Sequence, residues 1–162
     1  MHNKLYNKSS NKIEKFLKEN DLNKYLHEEC ITFSAYVNEK KNFKLEALFE
    51  DVPDKGLLLK HCYNITNINN KKHYIDVRGI TDNLNEFFKG YNIDKDKKYI
   101  ILEYNSFNDY LQDIEGHKLK EGIKFSDTLS ESEIKMFNKV IDKEINNKQI
   151  KNKEDKSTNL IL

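Results

Sequence analysis

The sequence predicts an α+β fold, with N-terminal helices packed on a small antiparallel sheet and a further helix near the C-terminus. Three observations lead to this class. Apolar residues recur at helical spacing before residue 40, runs of branched and aromatic residues broken by turns occupy 44–104, and helical spacing returns after residue 130. The 162 residues are one domain's length. We therefore expect a single domain over 1–143 and a polar, flexible tail over 144–162.

The first two predicted elements are helices. Residues 9–19 begin with serine caps and continue with amphipathic spacing. An apolar stripe over 22–37, which includes Cys30, indicates a second helix. Further helices are predicted over 81–91 with Thr81 as the cap, over 106–114, and from Ser130 or Ser132 onward.

Four strands are predicted between these helices, over 44–52, 56–66, 71–79 and 98–104. The second and third strands are separated by a short turn. That turn falls either at Asn69–Asn70, a pair that tolerates positive φ, or one residue earlier, at 68–69. The two positions give different registers of the same antiparallel pair.

Both registers bring His61 close to Asp76. The first register puts Asp76 on the diagonal from His61, and the second puts it directly opposite. In each case the two side chains share one face of the sheet and lie within reach of one another. Cys62 follows His61 at once and therefore points to the other face.

Composition and charge exclude several classes of function. Lys plus Arg number 28 against 27 Asp plus Glu, a net charge of +1, so no overall field favours nucleic acid or an anionic membrane. Apolar runs are too short to span a bilayer, and the N-terminus does not read as a signal peptide. We expect a cytoplasmic protein in which Cys30 and Cys62 are free thiols. Glycine-rich phosphate loops and metal-ligand spacings are not found in the sequence, so neither a metal nor another cofactor is expected.

Cys30, His61 and Asp76 are the candidate catalytic residues. In that chain order, a histidine takes the thiol proton, a carboxylate orients the imidazole, and the sulfur attacks a carbonyl carbon. Arg78 is the only arginine in the chain, and its planar fork pairs with carboxylates better than a lysine does. We expect it to hold a carboxylate or the turn at Gly79, or to bind substrate near the site.

Four segments together resemble short bacterial and phage proteins of the papain-like or transglutaminase-like cysteine superfamily. They are CITFS at 30–34, ALFE at 47–50, His61, and YIDVRG at 74–79. The likeness covers about residues 28–90. It implies that Cys30 is the nucleophile, His61 the general base and acid, and Asp76 the orienting carboxylate.

The resemblance and the apolar stripe predict different structures for the residues before Cys30. The resemblance requires a break between Lys24 and Glu29, so that the thiol lies at the start of a helix. Read alone, the stripe predicts one continuous helix that buries Cys30 in its middle. The structural alternatives are a core cysteine, a strand histidine satisfied by hydrogen bonds, and a plain ion pair between Asp76 and Arg78.

Two functions follow from these readings. The first is a thiol-dependent enzyme acting on an amide or related acyl bond, as a peptidase, deamidase or acyl transferase. The alternative is a non-catalytic protein-binding module on the same fold, for example a phage or mobile-element protein that occupies a host partner. Either function would have a protein or peptide as substrate or partner. An open cleft at Cys30 favours the enzyme, whereas a sealed thiol favours the module.

Overall fold

The structure, a computed structural model, describes residues 24–146 apart from 28, 90 and 92. The predicted helix over 9–19 and the part of the predicted tail after residue 146 lie outside the described residues. The helices are α1 (Lys24–His27), α2 (Cys30–Lys41), α3 (Leu84–Phe88), α4 (Phe107–Ile114), a 3-10 helix (Phe125–Thr128), α5 (Glu131–Val140) and a π-helical turn (Ile141–Asn146). The strands are β1 (Lys44–Val52), β2 (Gly56–Ile68), β3 (Lys71–Asp76), β4 (Gly79–Thr81) and β5 (Tyr99–Tyr104).

The five strands form one antiparallel sheet in the order β4-β3-β2-β1-β5. Helices from both ends of the described chain pack around this sheet, so the architecture is α+β, as predicted. None of the described helices is both long and apolar enough to cross a membrane.

The turn between β2 and β3 fixes the register that positions the site. Asn69 and Asn70 have φ of 55° and 64°, the left-handed pair that suits a two-residue hairpin turn. Ile68 therefore pairs with Lys71, which confirms the first of the two predicted registers.

The predicted third strand proved to be two strands. β3 ends at Asp76, and the chain turns through Val77 and Arg78 into β4. Gly79 has φ of 120°, a conformation that glycine adopts readily. Thr81 belongs to β4, so the cap of the following helix is Asn83 instead of the predicted Thr81. Val77 lies inside a run of strand-forming residues, so the sequence pattern did not indicate this turn.

The two faces of the sheet carry separate cores. We call the face defined by Leu45, Ala47 and Cys62 the α2 face, and the face that includes His61 and Tyr63 the α3 face. The α2-face core adds Cys30, Phe49, Tyr104 and Tyr110 to these residues. On the α3 face Tyr63 packs with Ile65 and Phe87.

A third cluster joins the helices of both chain ends to β3 and β4. Phe137 of α5 packs edge-on against Tyr25 and Phe33, with ring centroids 4.7 and 5.2 Å apart. Ile145 is completely buried in this cluster. Ile145, which the predicted tail includes, is thus packed in the core.

Candidate functional site

Cys30 is the first residue of α2, because the chain breaks just before it. Glu29 has φ of −118° and ψ of 37°, outside the helical region, and its N–H donates to the carbonyl of Lys24 at 2.7 Å. The described part of the stripe, from residue 24 to residue 37, is therefore divided between two helices. The continuous helix is wrong, and the break that the resemblance requires is confirmed.

The Cys30 sulfur contacts the main chain of β2. It accepts a hydrogen bond from the Cys62 N–H at 3.3 Å, and the Ser34 hydroxyl donates to the carbonyl oxygens of both cysteines at 3.0 Å. The Cys30 side chain is only 4% exposed. Burial raises the pKa of the Cys30 thiol, and the hydrogen bond from the Cys62 N–H offsets only part of this rise. The thiol is consequently protonated at neutral pH.

His61 and Asp76 lie together on the α3 face, as the sequence predicted. The His61 Nε2 atom is 3.6 Å from the Asp76 Oδ2 atom. His61 is 0% exposed and Asp76 2%. The diagonal placement follows from the Asn69–Asn70 turn, since that register puts Tyr63 opposite Asp76.

Arg78, in the turn that follows β3, forms several hydrogen bonds with Asp76. Its Nη2 donates to Asp76 Oδ2 at 2.7 Å and its Nε to Oδ1 at 3.1 Å, and its main-chain N–H donates to Oδ1 at 2.9 Å. Burial alone would raise the pKa of Asp76, but the Arg78 charge and hydrogen bonds from His61 and Arg78 outweigh it and hold that pKa well below its usual range. Asp76 is therefore ionised in the folded protein.

Arg78 also ties this carboxylate to α3. A further hydrogen bond runs from its Nη2 to the carbonyl oxygen of Phe87 at 2.7 Å. Its guanidinium carbon lies 5.4 Å from the Phe87 ring centroid and 5.3 Å from that of Tyr91, within the range of a cation–π contact. Arg78 thus holds a carboxylate, which is one of the roles expected for it from the sequence.

Aromatic rings surround the His61 imidazole. Tyr91 is the nearest, with ring centroids 4.1 Å apart, and Tyr63 and Phe87 follow at 5.4 and 5.7 Å. The Tyr91 hydroxyl donates to Asp76 Oδ2 at 2.9 Å. The imidazole and the carboxylate thus share an enclosure whose walls are largely aromatic.

The structure brings His61, Asp76 and Arg78 together but places Cys30 differently. Cys30 packs with Cys62 on the α2 face, whereas His61 points to the opposite face of the same strand. The sulfur reaches the main-chain amide that joins His61 to Cys62. The imidazole ring is not among its hydrogen-bond partners in the described part of the chain.

Two contributors to the site were missed by sequence reasoning. Tyr91 was assigned only to the end of a helix, and Ser34 only to the CITFS segment. Their spacing gives no signal, because both act through contacts made by the folded chain: Tyr91 with Asp76, and Ser34 with Cys62.

The described residues contain no group of three or more His, Cys, Asp or Glu side chains that could hold a metal ion. Compared with known family models, curated proteins and solved structures, the chain matches none.

Proposed function

We propose that this chain is a thiol-dependent enzyme acting on an amide or related acyl bond, in which Cys30, His61 and Asp76 have the roles that the resemblance to the papain-like or transglutaminase-like superfamily implies. One observation carries the proposal. The sulfur at the start of α2 lies 3.3 Å from the amide nitrogen that directly follows His61, and the His61 ring lies 3.6 Å from Asp76. The Cys30 sulfur and the His61–Asp76 pair thus lie on opposite faces of β2, and the main-chain amide between His61 and Cys62 is the point at which they come nearest in the chain.

The chemistry starts from a protonated thiol. As the Cys30 sulfur attacks a carbonyl carbon, its proton passes to His61, and the imidazolium then gives that proton to the leaving amine or alcohol. The new bond is a thioester between Cys30 and the acyl group, which water or an acceptor amine subsequently cleaves. Ionised Asp76 stabilises the imidazolium.

This reaction requires the imidazole and the sulfur to approach each other. β3 ends at Asp76. The N-terminal part of β2, before Asn64, is therefore not paired with β3. The Cys62 N–H on this stretch is taken by the Cys30 sulfur. Catalytic hydrogen bonds commonly tighten only when substrate binds, and the approach proposed here would take place along this unpaired stretch.

A second candidate is the non-catalytic protein-binding module, which the burial of the reactive groups favours. Cys30 is 4% exposed and His61 0%, a degree of sealing that a binding protein tolerates. For either function we propose a reducing compartment such as the cytoplasm, where the free thiols Cys30 and Cys62 stay reduced.

Iodoacetamide alkylation of the two cysteines distinguishes these functions. Cys30 is measured in Cys62→Ser and Cys62 in Cys30→Ser, from about pH 5 to about pH 9, on either side of ordinary histidine and thiol pKa values. The two thiols are both buried and pack in the same α2-face core, so Cys62 is a matched control. If the protein is an enzyme, we expect Cys30 to react with iodoacetamide at neutral pH at least about tenfold faster than Cys62, because a base assists its thiol.

The same experiment in His61→Gln tests the role of the imidazole. The enzyme predicts that Cys30 loses its advantage over Cys62, while circular dichroism shows a retained fold. If Cys30 and Cys62 instead react equally slowly, at the rate of global unfolding, the thiol is a core residue and the binding module is the better description.

A further inference from the structure

The two edges of the sheet are covered very differently. β4 has three residues, all buried, and packs against the π-helical turn at 141–146. At the other edge β5 has six residues, and among the described strands only β1 pairs with it. Ile100 and Ile101 of β5 are 38% and 51% exposed. An apolar edge strand of this kind is a template for pairing with another chain.

The main-chain groups of β5 that face outward can be identified. The Asp51 N–H donates to the carbonyl oxygen of Lys98 at 2.9 Å, so these two residues form a hydrogen-bonded pair. Along an antiparallel strand, alternate residues direct their main-chain groups to the same neighbour. The groups of Ile100 and Leu102 therefore face β1. Those of three residues face away from the sheet: Tyr99, Ile101 and Glu103.

We propose that this edge is a dimer interface, in which β5 pairs antiparallel with β5 of a second copy of the chain. Residues directly opposite in such a pair must share a face, so a two-fold axis can pass only where a residue meets its own copy. Ile100 and Ile101 are the two central candidates in β5, and each choice defines one register.

Charge selects the register centred on Ile100. Within β5 it sets Tyr99 opposite Ile101, and when the same register is continued two residues before β5 it places Lys97 of each copy opposite Glu103 of the other. These two charged side chains are 51% and 50% exposed, although each already has an intramolecular ion pair. The register centred on Ile101 would instead set Glu103 against Tyr99 and give the lysines no carboxylate. On the face of the strand that carries Lys97 and Glu103, opposite charges lie at both ends with Tyr99 and Ile101 between them, which suits a self-complementary strand.

Sedimentation velocity from micromolar to millimolar protein tests this interface. The wild-type chain should show a reversible monomer–dimer equilibrium. Lys97→Glu and Glu103→Lys each set like charges opposite one another twice, so each should raise the dimer dissociation constant by about tenfold. The double variant restores opposite charges and should restore dimerisation. Lys98→Glu, which faces Leu102 of the second copy on the other face, is the matched control with a smaller effect.

Ile101→Pro tests the main-chain part of the interface. Proline removes an N–H that points outward and leaves the hydrogen bonds to β1 in place, so the variant should be monomeric at concentrations where the wild type dimerises. Urea unfolding of each variant at micromolar concentration verifies that the monomer is folded. A wild-type chain that stays monomeric throughout, or a dimer unaffected by both the charge exchange and Ile101→Pro, would overturn the proposal.

Discussion

Cys30 and Asp76 are both buried acidic groups beside β2, yet the thiol of Cys30 is protonated and the carboxyl group of Asp76 is ionised. Asp76 accepts hydrogen bonds from the side chain and main chain of Arg78 and from the Tyr91 hydroxyl. The Cys30 sulfur accepts one from the Cys62 N–H. The pKa of the carboxyl falls despite burial, whereas the pKa of the thiol rises because of it.

The difference shows that burial alone does not determine ionisation. The Arg78 guanidinium, the Arg78 main-chain N–H and the Tyr91 hydroxyl compensate the cost of desolvating the carboxylate, while a single main-chain amide does not do so for a thiolate. For the proposed chemistry this means that the charged partner of His61 is already in place. The thiol proton must leave during the reaction itself.

The largest expected effect on the free energy of unfolding comes from removing the Asp76 carboxylate, which is paired with Arg78. Asp76→Ala leaves the buried Arg78 guanidinium without its carboxylate, and we expect a loss of about 3–5 kcal/mol in the free energy of unfolding. Urea denaturation measures this loss. Asp51→Ala, an exposed position in β1, is the control and should stay within about 0.5 kcal/mol of wild type. A loss below about 1 kcal/mol for Asp76→Ala would mean that Arg78 is satisfied elsewhere.

A smaller effect is expected on the thiol side. Cys30→Ala deprives the buried Cys62 N–H of its acceptor, which costs about 1–2 kcal/mol. The same denaturation experiment applies. If Cys30→Ala destabilised the protein as much as Asp76→Ala, the contrast between the two sides of β2 would be wrong.

Tyr91→Phe removes one of several donors to Asp76 and should cost about 1 kcal/mol. Because Tyr91 and Cys30 act on different sides of β2, the double variant with Cys30→Ala should be additive within about 0.5 kcal/mol. A larger coupling energy would show that the two sides already communicate in the resting state.

The contributions of Asp76 and Cys30 to stability depend on pH in opposite directions. The folded-state pKa of Asp76 is depressed, so its contribution is present above the ordinary carboxyl pKa of about 3.9 and is lost as the pH falls below it. The folded-state pKa of Cys30 is raised, so its contribution is present below the ordinary thiol pKa of about 8.5 and is lost as the pH rises.

Thermal unfolding across pH tests both signs. Cys30→Ala should reduce the alkaline loss of stability and leave the acid loss unchanged. Some alkaline loss should remain, because burial also raises the pKa of Cys62. An acid loss that changed in Cys30→Ala would contradict the assignment of that loss to the carboxylate side.

Local patterns were enough to predict much of this arrangement. The run KLEALFEDV predicted β1 with the bounds 44–52, which the structure shows unchanged. The turn residues at 68–70 predicted two registers, either of which brings His61 to Asp76, and the structure has the one set by Asn69–Asn70. These features depend on neighbours in sequence, so spacing and turn preference reveal them.

The rest depends on contacts between distant segments. The break at Glu29 has no side-chain cap and no proline to announce it, and the apolar stripe runs through it. Tyr91 contacts Asp76 across 15 positions of sequence. The position of the Cys30 sulfur depends on how α2 packs on the sheet, which strand alternation alone does not define.

Transfer of an acetyl group from p-nitrophenyl acetate to Cys30, followed by intact mass and peptide mapping, tests the central claim most directly. The thiol attacks the acetyl carbonyl, nitrophenolate leaves, and the thiol proton passes to His61. We expect Cys62→Ser to gain one acetyl group on Cys30 with a matching burst of nitrophenolate, and Cys62→Ser with His61→Gln to gain none. Acetylation confined to lysines, or equal on Cys30 with and without His61, would contradict a Cys30–His61–Asp76 enzyme.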